Sequence, residues 1–303
     1  MKLYDALGLR LIKSNRDPLT LLSSIAYHAV IADRFDLLND YSCFYLGADP
    51  EVPKPNYQFK YIDNLPLAIE NSVNKLLNRY KGKHTILMWS GGVDSTALLV
   101  ALIKVCDKKD FTIIGSLSSI NENPTMVKWL YCNDYDLQFP LTNDFYQFKD
   151  CLILTGWCAD QIFGSQYAVE KVPRAAYFAD YKTVVRKMFD NDYCNCPVSN
   201  AQFDLICEAV DLYAEKVLHQ KVTKFSELAL MINFGLKYTH TFNHTRLSCN
   251  VPELIYNIHC PYADPDIQDW GIANFKYNAN TEQYYDLTKY KLPLKQYIFE
   301  FNY

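Results

Sequence analysis

His84-Thr85-Ile86-Leu87-Met88-Trp89-Ser90-Gly91-Gly92-Val93-Asp94-Ser95-Thr96 decides how this chain is read. A short apolar run stops at Ser90, two glycines follow, and a carboxylate comes next between small residues. Behind them Ala97-Leu98-Leu99-Val100-Ala101-Leu102-Ile103 reads as a buried helix. The segment is therefore strand, tight loop and helix N-terminus. Such a junction collects backbone N–H groups and the positive end of the helix dipole, which suits it to phosphate. Glycines let the backbone approach an anion with no Cβ in the way. Ser90, Ser95 and Thr96 add hydroxyl donors. Asp94 repels a phosphate unless a cation such as Mg²⁺ lies between them.

Outward from the loop, Asn64 and Pro66 predict a helix start, with Ile69, Val73, Leu76, Leu77 and Tyr80 on one face. Lys81-Gly82-Lys83 ends it. Phe111-Thr112-Ile113-Ile114-Gly115-Ser116-Leu117 reads as the next strand, so 84–117 form one right-handed β-α-β unit with a parallel pair. Ligands of such sheets bind outside the carboxyl ends of the strands, where Ser90 and Ser116 fall. Pro124 to Cys132 reads as a short helix and Cys151-Leu152-Ile153-Leu154-Thr155 as another strand. From about Pro173 the pattern is mostly helical, with a buried helix over Ser226 to Leu236. Pro18 to Val30 has helical spacing, and residues 1–60 carry no evident chemistry.

Composition sets outer bounds. Half the residues are hydrophobic and about a fifth charged, the usage of a globular protein. A net charge of −4 provides no global basic field for nucleic acid; it argues against that partner without excluding a local groove. The ten cysteines are scattered with no Cys-x-x-Cys pair, and neither a signal-peptide pattern nor a membrane-length apolar run occurs. The expectation is a cytoplasmic protein with reduced cysteines and no membrane partner. Of only ten glycines, Gly91, Gly92, Gly156 and Gly164 fall in two loops that both follow strands.

Ser-Gly-Gly-x-Asp-Ser resembles the pyrophosphate loop of the N-type ATP pyrophosphatases; the Gly-x4-Gly-Lys-Ser/Thr phosphate loop is excluded by spacing and by the missing lysine. Gly156-Trp157-Cys158-Ala159-Asp160-Gln161-Ile162-Phe163-Gly164-Ser165 resembles the Gly-Glu-Gly-x-Asp-Glu-Leu-Phe-Gly-Gly segment of asparagine synthetases and β-lactam synthetases. Asn257-Ile258-His259-Cys260-Pro261-Tyr262-Ala263-Asp264 resembles their Glu-Val-Arg-Val-Pro-Phe-Leu-Asp, and Lys291-Leu292-Pro293-Leu294-Lys295 their Lys-x-x-Leu-Arg. The four motifs keep the family's order over roughly residues 65–303.

The resemblance implies an α/β fold with a parallel sheet of the ATP-pyrophosphatase type flanked by helices, and a mostly helical C-terminal part. The expected divisions are an accessory segment over 1–63, the α/β core over 64–172, and a helical part over 173–303 that completes the site. It implies ATP and Mg²⁺ as cofactors, with Asp94 and Asp160 as metal ligands. Ser90, Gly91, Gly92, Val93, Asp94, Ser95 and Thr96 bind the phosphates, and the backbone of Gly115, Ser116 and Leu117 binds adenine. Gly156 and Lys295 complete the nucleotide site. Lys291, with Asp94 and Asp160, is expected to be catalytic, reaching the phosphates and the developing oxyanion.

The implied activity is that of an ATP-dependent ligase: a substrate carboxylate is adenylated with release of pyrophosphate and passed to an amine or ammonia. The family's glutaminase domain is not expected, because Lys2 stands where its cysteine nucleophile belongs and the segment ahead of the loop is short; ammonia then comes from a separate source. The segment from Ser116 to Gly156 is also short, which implies a trimmed sheet edge. Two alternatives stay open: adenylation of a nucleic-acid base or tRNA, and a non-catalytic nucleotide-binding module. Trp157 and Gln161, in place of the family's two glutamates, motivate the second. His240, His244 and Cys249 carry metal-site spacing but no evident fourth ligand, and read as ordinary core or surface residues. Cys158 has no adjacent activating group and reads as packing.

An indole at Trp157 offers a flat apolar face where a carboxylate would take a cation. The Trp157→Ala variant should therefore change the preference among carboxylic acids, by roughly 1–3 kcal/mol per methylene-sized misfit, more than it changes ATP affinity. Pyrophosphate release across a panel of acids measures this; aspartate as the best acid of the native chain would contradict it.

Overall fold

The computed structural model describes residues 63–140, 145–164, 173–190, 198–237, 257–280 and 289–301. In chain order the elements begin with α1 (Leu65–Arg79), β1 (Thr85–Met88), α2 (Val93–Val105), β2 (Phe111–Ile114), α3 (Leu117–Glu122), α4 (Pro124–Cys132), β3 (Leu137–Gln138) and β4 (Leu152–Thr155). They continue with α5 (Ala159–Phe163), α6 (Arg174–Tyr177), α7 (Tyr181–Asp190), α8 (Asn200–Tyr213), α9 (Phe225–Ile232), β5 (Ile258–His259), α10 (Pro265–Ala273), α11 (Phe275–Asn280) and α12 (Leu292–Phe301). The helical spacing at Pro18 to Val30 and the 240–249 histidine and cysteine group lie outside the described residues.

The chain forms two compact units. The described residues of the first are 63–140, 145–159, 257–270 and 291–301; those of the second are 160–164, 173–190, 198–237, 271–280 and 289–290. The sheet lies wholly in the first. Its strands are all parallel, in the order β3-β2-β1-β4-β5. Thr85 to Met88 pair with Phe111 to Ile114 on one side and with Leu152 to Thr155 on the other. Ile86, Leu87, Ile113, Ile114, Ile153 and Leu154 are all buried, so successive residues on both faces of the pleat leave water. That explains why these strands read as continuous apolar runs without alternation.

The helices of this unit follow local signals. Asn64 caps α1 by accepting the Leu67 N–H at 3.0 Å, with Pro66 in the first turn. Asn123 caps α4 through the Met126 N–H at 3.0 Å, with Pro124 at its first position. Ala97 to Leu102 of α2 are buried on every side, as the all-apolar stretch predicts. Helices α1 and α12 both pack on α2. Glu70 of α1 ties the three together: it accepts from Lys104 of α2 and from the Tyr297 hydroxyl of α12, each at 2.9 Å, while the Lys104 ammonium sits 4.4 Å from the Tyr297 ring centroid. Burial, reinforced by Glu70, pushes the Tyr297 phenol above its usual range.

The strand expected over 111–117 ends three residues early. Ser116 caps α3 with Ser119 in a reciprocal capping box, and Leu117, its first residue, is 74 % exposed. The two-residue β3 makes the far edge of the sheet short, as the shortness of that segment implies.

The second unit is helical. Its core includes Tyr177, Val185, Ile206, Val210, Tyr213, Phe225, Leu228, Met231 and Phe275. Ser199 and Gln202 form the capping box of α8. The buried helix expected over 226–236 is α9 continued by a wider π turn over Asn233–Lys237. Among the described residues no helix is long and apolar enough to cross a membrane.

Glu227 is the charged anchor of this second core. Burial raises its carboxyl pKa, but hydrogen bonds from Asn280, Lys276 and the N–H groups of Thr223 and Lys224 outweigh that and bring it to about 2. A folded value below the unfolded one of about 4.3 contributes stability that is complete above the unfolded pKa and is lost as pH falls toward the folded one. Glu227→Gln should cost about 2 kcal/mol near neutrality, and the gap to the native chain should close as the pH drops from about 4.3 toward 2. Urea unfolding at a series of pH values measures both.

Candidate functional site

The order β3-β2-β1-β4-β5 sends the chain from β1 outward through β2 to β3, then back to β4 on the other side of β1. The carboxyl ends of β1 and β4 thus flank the switch point at which open parallel sheets bind ligands. The Ser90–Thr96 loop follows β1 there, and Gly156 follows β4. A Cβ on Gly156 would lie 3.0 Å from the Ser95 nitrogen, so the two strand ends meet at the start of α2 with no room for a side chain.

Gly91 adopts φ +87°, and a Cβ there would fall 2.7 Å from the Ser119 carbonyl oxygen and 2.9 Å from Glu122 Cβ. The loop hydroxyls brace this turn. Ser90 Oγ lies 2.9 Å from Ser95 Oγ, the Ser95 hydroxyl donates to the Gly92 carbonyl at 3.2 Å, and the Thr96 hydroxyl donates to the Gly91 carbonyl at 3.2 Å. The Trp89 indole N–H in turn donates to Thr96 Oγ1 at 3.1 Å. The hydroxyls expected to face a ligand therefore hold the loop's shape. What the loop presents is backbone: Gly92 is the N-cap of the thirteen-residue α2, and no side chain caps that helix.

The carboxylate of Asp94 is bonded to the Lys291 ammonium, from a residue 197 positions later. The Lys291 side chain is 5 % exposed and that of Asp94 is 21 %. Lys291 sits ahead of α12 with φ +53°, and its carbonyl accepts the N–H groups of Leu294 and Lys295, opening that helix. A lysine at a helix N-terminus opposes the dipole, and Asp94 offsets that charge. The structure thus brings two of the expected catalytic residues, Lys291 and Asp94, into direct contact. Lys295, one turn on, lines a cleft of about 500 Å³ with Gly91, Gly92, Thr96, Glu122 and Asn123.

Tyr262, from the third of the four motifs, proves to matter for position. It is fully buried, and its hydroxyl donates to the Asp94 carbonyl at 2.9 Å. Burial, with the Asp94 charge behind it, pushes its phenol well above the ordinary range, so it stays a neutral donor. Gln268 holds the Tyr262 carbonyl, and the Ser72 hydroxyl holds the Pro261 carbonyl at 2.7 Å. Asp264 pairs with Lys75 at 2.9 Å. The sequence pattern marks Pro261, Tyr262 and Asp264 without giving the hydroxyl a role; Glu122 and Asn123 carry no signal beyond their place after β2.

The other expected residues are placed as follows. The Gly115 N–H bonds the Gln138 carbonyl at 2.9 Å, and Ser116 and Leu117 start α3. Trp157 is 45 % exposed and Cys158 fully buried, the latter as packing requires. Asp160 and Gln161 belong to the second unit. Asp160 accepts a hydrogen bond from the Tyr290 hydroxyl at 3.2 Å, and Gln161 is buried. Among the described residues no group of three or more His, Cys, Asp or Glu side chains is arranged to hold a metal ion.

Compared with family models, with curated proteins and with solved structures, the chain finds no match.

Two left-handed glycines separate conformational from steric cost. Gly82, at φ +89°, has nothing within 4 Å of the point a Cβ would occupy, whereas at Gly91, with φ +87°, that point lies 2.7 Å from backbone. Gly82→Ala should cost about 1 kcal/mol and Gly91→Ala roughly 3 kcal/mol or more, measured by chemical denaturation.

Proposed function

We propose that this chain is an ATP-dependent ligase of the ATP-pyrophosphatase type, which joins a carboxylate to an amine or ammonia and releases AMP and pyrophosphate. The observation that carries the reading is the Lys291–Asp94 contact on the uncapped start of α2. Two motifs far apart in sequence, both singled out for chemistry on phosphate, supply the two sides of one ion pair.

The residues suit a nucleotide with its cation. The Gly91–Gly92 turn carries no side chain of its own, the α2 terminus attracts an anion, and Lys295 adds a positive charge to the cleft, which the Glu122 side chain also borders. Mg²⁺ takes one or two carboxylates together with phosphate oxygens, and Asp94 is a partly exposed carboxylate at that point. When bound, the ion supplies neutralisation of phosphate charge. The chain's own part is to seat the phosphates on the loop backbone, hold Asp94 in register through Tyr262, and provide the Lys291 and Lys295 ammoniums for charge that develops on oxygen. Asp160 lies in the second unit with its carboxylate held by Tyr290, so the reading rests on Asp94 for the cation.

A nucleotide-binding module without turnover is the second reading. Gln161, which replaces a family glutamate, is buried and favours it.

ATP–pyrophosphate exchange in the presence of carboxylic acids decides between them. The native chain should exchange label with an acid alone and accumulate AMP once an amine or ammonia is added to displace it. Asp94→Asn and Lys291→Met should each reduce exchange by about a hundredfold or more while circular dichroism shows the fold retained. ADP as the main product would remove the ligase reading.

A further inference from the structure

We propose that the Lys291 ammonium is the resident counter-ion of Asp94 and is exchanged for a divalent cation when the site is loaded, so that ammonium and metal occupy the carboxylate alternately. The inference rests on the reading of the Ser90–Thr96 loop as a nucleotide site and adds to it a built-in order of events.

Three observations support the exchange. Lys291 bonds directly to Asp94, the carboxylate through which a cation would reach the loop. The ammonium is the shielded partner, with 5 % of its side chain exposed, while 21 % of Asp94 is exposed. Lys291 holds Asp94 Oδ2 and Asp94 Oδ1 is buried, so a cation that reaches the carboxylate has to take the place of the ammonium. Finally, the backbone at Lys291 holds φ +53°, a conformation that lysine disfavours. The turn is thus kept by its surroundings, including the carbonyl bonds that open α12 and the ion pair itself.

A divalent ion and an ammonium repel each other strongly at the separation that sharing one carboxylate oxygen would impose. A strongly hydrated ion such as Mg²⁺ gives up water only for a favourable set of oxygens. With Lys291 on Asp94 the carboxylate is already neutralised, and a metal alone has little to gain there. Phosphate oxygens change that balance in two ways: they add ligands for the metal, and they offer the displaced ammonium a new anionic partner. Metal alone should therefore bind weakly, and metal with nucleotide should bind cooperatively.

The test uses Mn²⁺ alone, titrated into the full chain and followed by electron paramagnetic resonance. Lys291→Met should bind Mn²⁺ about tenfold more tightly than the native chain, and the Asp94→Asn/Lys291→Met double variant should lose that gain. Equal affinity of the native chain and Lys291→Met would overturn the proposal. Should Lys291→Met fail to fold, the native chain suffices: acetylation of Lys291, mapped by mass spectrometry, should rise as Mn²⁺ saturates, and unchanged labelling would overturn it. Neither arm contains nucleotide. A chain that shows this exchange but binds no ATP refutes the ligase reading alone, whereas one that exchanges pyrophosphate with no effect of Lys291 on Mn²⁺ refutes the counter-ion exchange alone.

Discussion

The first turn of α2 is closely surrounded, and the rest of the sheet-bearing unit is arranged to permit the crowding. Gly91 passes under the Ser119 carbonyl, Gly156 passes over the Ser95 nitrogen, the Tyr262 hydroxyl takes the Asp94 carbonyl, and the Lys291 ammonium takes the Asp94 carboxylate. Four chain segments separated by as many as 197 residues converge there. Two of them must lack a Cβ, and two must carry a polar group that is satisfied on arrival. An unpaired donor or charge at this depth would cost the desolvation of that group with nothing in return.

The parallel sheet makes that convergence possible. With β1 central and paired on both sides, the loops after β1, β2 and β4 all emerge at the same edge. Helix α2 presents the apolar wall on which α1 and α12 rest, and the Glu70, Lys104 and Tyr297 network joins all three. Fixing α12 also fixes Lys291 and Lys295 at its start. Rigidity of the helix layer is in this sense part of the site, because a small shift of α12 would separate the ion pair at Asp94.

Much of this unit was legible in the sequence because its signals are local. Asn64 with Pro66 and Asn123 with Pro124 mark helix starts by satisfying N–H groups within one turn. The runs at 85–88, 111–114 and 152–155 are long enough to read as buried strands. The two-residue β3 and β5 were not, since neither is long enough to show a period. Leu117 misled for a related reason: an apolar residue after a strand extends the apparent run, while the Ser116–Ser119 capping that turns the chain into a helix depends on hydrogen bonds that hydrophobicity does not register.

By itself the sequence determined that a strand, a glycine turn and a helix start stand together at Ser90–Thr96, since glycine placement and apolar runs act over neighbouring residues. It also marked Asp94, as a carboxylate among phosphate-binding donors, and it marked Lys291 and Tyr262 through resemblance to a family pattern. Tertiary structure alone decided that the Lys291 ammonium lies on Asp94, that Tyr262 holds the backbone beneath it, and that the loop's hydroxyls brace the turn. Those outcomes depend on which segments the parallel sheet and the helix layer bring to one point. No local spacing encodes contact across nearly two hundred residues, because the energy that fixes it comes from the packing of the elements in between.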